Sequence, residues 1–61
     1  MEITWSNGYR LSIEHLPGRR KPVMVLSKDG GYLAHAVLKD EESFDEFVSF
    51  FKQLWGDARC D

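Results

Sequence analysis

Two hydrophobic periods share this chain, and the place where one gives way to the other constrains the fold most. Through residue 38 apolar side chains recur at every second position or in short unbroken runs. From Ser43 they recur at helical spacing, with Phe44, Phe47, Val48, Phe51, Leu54 and Trp55 forming one stripe. No other segment has the helical period. A chain of 61 residues therefore has several strands to cover and one helix to cover them with.

Met1-Glu2-Ile3-Thr4-Trp5 and Tyr9-Arg10-Leu11-Ser12-Ile13-Glu14 alternate on either side of Ser6-Asn7-Gly8, the pattern of a hairpin. A two-residue turn at Asn7-Gly8 sets Trp5 against Arg10 and mixes the faces. A three-residue loop, with Gly8 in the left-handed position, pairs Trp5 with Tyr9, Ile3 with Leu11 and Met1 with Ile13, and so gives one apolar face. Leu16 to Pro22 is the longest connection, with Pro17-Gly18 as its turn signal and Arg19-Arg20-Lys21 following. Val23 to Ser27 and Tyr32 to Leu38 are strands joined through Lys28-Asp29-Gly30-Gly31.

For the helix, Ser43 and Glu46 form a capping-box pattern, with Asp40 as the alternative cap one turn earlier, and Gly56 is a stop. Strands are expected at 1–5, 9–15, 22–28 and 31–38 and the helix at 43–55. The fold class is α+β: a four-stranded antiparallel meander of two hairpins, followed by one C-terminal amphipathic helix on one sheet face, in a single small domain.

The first hairpin suits a single cover, since Thr4, Arg10, Ser12 and Glu14 fall on its outer side. The second does not. An even-length turn places Met24, Leu26, Leu33, His35 and Val37 on one side and Val23, Val25, Tyr32, Ala34, Ala36 and Leu38 on the other, and both sets are mainly apolar. Strands buried on both faces read this way. The pattern leaves open which set faces the helix. The expectation is a protein-binding surface at Met24, Leu26, Leu33, His35 and Val37, with Phe50 at the rim of the helical stripe. Its occupants would be a protein partner and a second copy of the chain, because most soluble oligomers are symmetric homo-oligomers.

Charge is unevenly placed. Residues 1–39 hold six basic against three acidic side chains, and residues 40–61 hold two against seven, for a net charge of −2. The basic run with Arg10 frames a second reading: Arg10, Arg19, Arg20 and Lys21, with Lys28, Trp5, Tyr9 and Tyr32, as a cationic, stacking-capable surface for single-stranded nucleic acid.

Other chemistry lacks its residues. One cysteine, Cys60, cannot form an internal disulfide, and an unpaired thiol suits a reducing, cytoplasmic setting. His15, His35 and Cys60 have no metal-ligand spacing, so no metal is expected. Gly30-Gly31 joins strands and does not open a helix, so it is no phosphate loop. No run approaches the roughly 18 apolar residues of a membrane span. The expected function is thus non-catalytic, with no cofactor, small-molecule substrate or membrane: a small regulator, adaptor or inhibitor acting as a homodimer, of a size common among phage and mobile-element factors. The two binding readings separate experimentally. Nucleic-acid binding should vanish on changing Arg19 and Arg20 to Glu and should fall steeply with salt, whereas a protein surface should tolerate both and fail on Leu26→Asp or Leu33→Asp, as read by titration at two salt concentrations.

Overall fold

Turn chemistry sets the first hairpin. The computed structural model describes residues 1–60, beginning with β1 (Glu2–Trp5) and β2 (Tyr9–Glu14). The Gly8 amide donates to the Trp5 carbonyl at 3.1 Å, and Gly8 has φ 90°. Ile3 lies opposite Leu11, so the three-residue loop and its register are as the alternation predicts. Gly8 is fixed twice over: its φ disfavours any side chain, and a Cβ there would run into the Asp29 carboxylate of the neighbouring turn.

The second hairpin, β3 (Val23–Lys28) and β4 (Gly31–Val37), corrects the expected sorting of faces. Asp29 and Gly30 both have positive φ, 50° and 83°, as a two-residue hairpin loop requires. Lys28 pairs with Gly31 and Ser27 with Tyr32, but Leu26 pairs with Ala34, Met24 with Ala36 and Val23 with Val37. Leu33 is therefore an extra residue, a β-bulge, and one extra residue exchanges the faces of everything beyond it. Met24 and Leu26 share the helix side with Ala34 and Ala36. His35 and Val37 share the outer side with Val25 and Val23.

Helix α1 (Glu41–Trp55) starts two residues earlier than 43. Its cap is Asp40 rather than Ser43: the Asp40 carboxylate accepts from the Ser43 amide at 3.0 Å and from the Ser43 hydroxyl at 3.1 Å. Gly56 ends it, donating to the Lys52 carbonyl. The chain then adds a strand absent from the expected plan, β5 (Ala58–Cys60), antiparallel to β1 with Thr4 opposite Arg59. The sheet order is β4-β3-β2-β1-β5. The expected meander thus occupies four places of a five-stranded antiparallel sheet.

The core lies between the helix and the β1–β3 part of the sheet. Phe44 and Leu11 are its fully buried centre, joined by Ile3, Trp5, Met24, Leu38 and Val48. Trp55 stacks on Tyr9 and meets Trp5 edge-on, and Phe51 stacks on Trp55. The buried Trp5 indole N–H has no hydrogen-bond partner, a local cost that the aromatic packing around it must offset.

A domain this small holds only about 3–5 kcal/mol of net stability, so single contacts decide whether it folds. Phe44→Ala, at about 3–5 kcal/mol, should leave most molecules unfolded at 25 °C. Gly8→Ala should cost about 2 kcal/mol from backbone strain and collision. Asp40→Ala should cost about 1 kcal/mol, lowering the melting temperature by about 4–8 °C. Thermal denaturation followed by circular dichroism checks all three.

Candidate protein-binding surface

The helix packs over β1, β2 and β3, the three central strands of the sheet. Its Glu41 and Asp45 side borders Met1, Ile13 and His15, the β1–β2 side of the molecule, where His15 Nε2 and Glu41 Oε1 lie 3.1 Å apart. That contact is largely solvated and contributes little to stability. On the opposite flank Phe51 looks over Met24, Leu26, Ala34 and Ala36, enclosing a shallow hollow of about 100 Å³. Phe47, Leu54 and Phe50 continue the wheel on that flank, about 40–100° beyond Phe51, with no strand beneath them. They are 40%, 61% and 57% exposed. Glu46, Phe47 and Phe50 line an adjoining recess of about 300 Å³.

β4 lies beyond this overhang, at the edge of the sheet. Every residue from Gly31 to His35 is exposed, as is Val37. Tyr32, Leu33 and Val37 keep 62%, 51% and 53% of their surface in contact with solvent. A hydrogen bond from the Tyr32 hydroxyl to His35 Nδ1 spans the bulge and steadies the outer side of the strand. The Leu16–Pro22 loop approaches one end of this patch, where Arg19, Arg20 and Lys21 line a hollow with Val37, while Val23 behind it is buried.

Of the residues expected to bind protein, the structure brings together Leu33, His35 and Val37, on the outer face of β4. Met24 is a core residue at 8% exposure, and half-buried Leu26 lines the hollow beside it. Phe50 stands on the helix flank with Phe47 and Leu54. Phe47 and Leu54 lie on the stripe that marks the core, so nothing in the periodicity distinguishes them as open. Only the seat of the helix, which turns Phe44 and Val48 inward, does.

The nucleic-acid reading fares differently. Arg19, Arg20 and Lys21 are exposed, and Arg10 pairs with Glu2 at 3.5 Å on the outer face. Trp5, however, is 5% exposed and Tyr9 is stacked on Trp55. Lys28 sits over the Tyr9 ring, 4.9 Å from its centroid. Of the three aromatics needed for base stacking Trp5 is buried, Tyr9 is half-buried against Trp55, and only Tyr32 is exposed among them.

Among the described residues no three His, Cys, Asp or Glu side chains converge as metal ligands, and no helix is long and apolar enough to cross a membrane. No family model, curated protein or solved structure matches the chain.

Outer-face residues should be replaceable without harm to the fold. Val37→Lys should change stability by no more than about 0.5 kcal/mol, as exposed sites do, whereas Leu26→Asp, beside the core, should cost more than about 2 kcal/mol. Urea titration of the two variants separates the faces.

Proposed function

We propose that this chain is a non-catalytic protein-interaction module, a small regulator, adaptor or inhibitor of a larger protein. The observations that support the reading are two exposed apolar areas, Phe47, Phe50 and Leu54 on the flank of α1 and Tyr32, Leu33 and Val37 on the outer side of β4. Soluble monomers rarely leave large apolar patches open unless a partner covers them. Aromatic side chains at the centre of such a patch are the kind that dominate binding energy when buried. Glu46, which lines the recess with Phe47 and Phe50, and Asp45 beside it give the helix flank a charged border suited to selecting a partner with basic groups at its rim.

The test compares the immobilised chain with Phe50→Asp/Leu54→Asp in native lysate, with quantitative mass spectrometry of what each retains. A defined protein held by the first and lost at least tenfold by the second is the expected result, with circular dichroism unchanged. Identical retained sets would reject the reading. Arg19→Glu/Arg20→Glu should bind that protein as the parent chain does. Steep loss of binding between 50 and 200 mM salt, about a thousandfold for a multi-phosphate contact, together with capture of single-stranded DNA, would instead indicate nucleic acid.

A further inference from the structure

We infer that the open edge of β4 pairs antiparallel with β4 of a second copy, about a two-fold axis at His35. The inference rests on the proposed interaction role and names one occupant of that surface.

The edge is unguarded. Natural edge strands are blunted by charge, proline, brevity or a bulge, and of these Gly31-Tyr32-Leu33-Ala34-His35-Ala36-Val37 has only the bulge, with no Lys, Arg, Asp, Glu or Pro. Its one irregularity, the bulge at Leu33, lies toward the turn and leaves the stretch from Ala34 to Val37 regular.

Backbone phase makes the edge self-complementary. The Leu38 amide donates to the Pro22 carbonyl at 2.9 Å. Bonded and non-bonded pairs alternate along an antiparallel ladder, so Met24–Ala36 and Leu26–Ala34 exchange bonds between β3 and β4. The N–H and C=O of His35 and Val37 then point away from β3, into the open edge. The amide of Ile13, donating to the Met1 carbonyl, gives the same phase when carried across β2 and β3. Pairing about His35 sets its outward N–H and C=O against their own symmetry mates.

Side chains agree with that register. Leu33 meets the second copy's Val37 on the outer face, and Ala34 meets the second copy's Ala36 on the helix face. Like face meets like, and the paired residues themselves carry no carboxylate or ammonium, the Arg19, Arg20 and Lys21 cations lying beside Val37 at each end of the joint. The two-fold runs perpendicular to the sheet, so both helices stand on one side. The alanines then floor a trough between two walls, each made of Phe47, Phe50 and Leu54.

Surface area sets the expected strength. Compact monomers of 7.1 kDa expose about 4,100 Å² by the general surface–mass relation, whereas this chain exposes 4461 Å². Covering an excess of roughly 350 Å² on each copy gives an interface below about 1,200 Å², the range of weak and transient association. Dimerisation should therefore depend on concentration within the micromolar range.

Light scattering on the full chain from about 1 μM to 1 mM should show the mass rising from one copy to two. Leu33→Lys/Val37→Lys should stay at one copy, with unchanged circular dichroism. A register test follows on a Cys60→Ser background. His35→Cys should form a disulfide-linked dimer on mild oxidation, because facing residues in a bonded pair lie about 5.5 Å apart. Ala34→Cys, offset by two residues from its own mate, should crosslink at least tenfold less. A one-copy mass at 1 mM overturns the inference, as does crosslinking of Ala34→Cys in preference to His35→Cys. If that monomer still holds a partner through Phe50 and Leu54, the pairing alone has failed. If the dimer forms and nothing is held, the proposed role alone has failed.

Discussion

Aromatic packing among Trp5, Tyr9, Phe51 and Trp55 determines where everything else in this molecule can lie. Trp55 is held against Tyr9 and Trp5 by contacts of 4.5 and 5.1 Å between ring centroids, at the far end of the helix from its Asp40 cap. Phe44 and Val48 fix the near half over Ile3 and Leu11. With both ends committed to β1 and β2, the helix cannot shift toward the edge strand β4. The cover is full where the first hairpin lies and fails at β4.

The same placement explains which parts of the fold were legible in the residues. Strict alternation in Ile3-Thr4-Trp5 and Tyr9-Arg10-Leu11 leaves one acceptable register, because a slip by one residue would bury Arg10. The helical stripe from Phe44 to Trp55 is equally unambiguous. The second hairpin has no such penalty. Both of its faces are apolar, so a bulge at Leu33 exchanges them without placing a charge in the core, and pattern alone cannot detect the exchange. Alternation therefore groups Leu33, His35 and Val37 with Met24 and Leu26, which lie on the other side of the sheet. β5 was missed for a plainer reason. Three residues, Ala58-Arg59-Cys60, are too few to display a period, and what makes them a strand is the reversal at Gly56 that returns the chain alongside β1.

A small core and a large open patch are linked. With about 3–5 kcal/mol available to a domain of this size, few apolar side chains can be left outside without a stability cost. Anything that covers β4 and the Phe47–Leu54 flank adds to folding through mass action, since ligands that bind only the native state stabilise it in proportion to their occupancy. Occupancy of the surface and the folded population should therefore rise and fall together.

The two rims of the sheet are unlike, and growth by strand addition depends on both. β4 offers a long uncharged border. β5, at the opposite margin, offers three residues with Arg59 at their centre. Joining equal borders consumes the only adhesive margin each copy has and leaves short, cationic ones facing outward. Such an assembly terminates at its first step, whereas a sheet with two adhesive margins would propagate into a fibre.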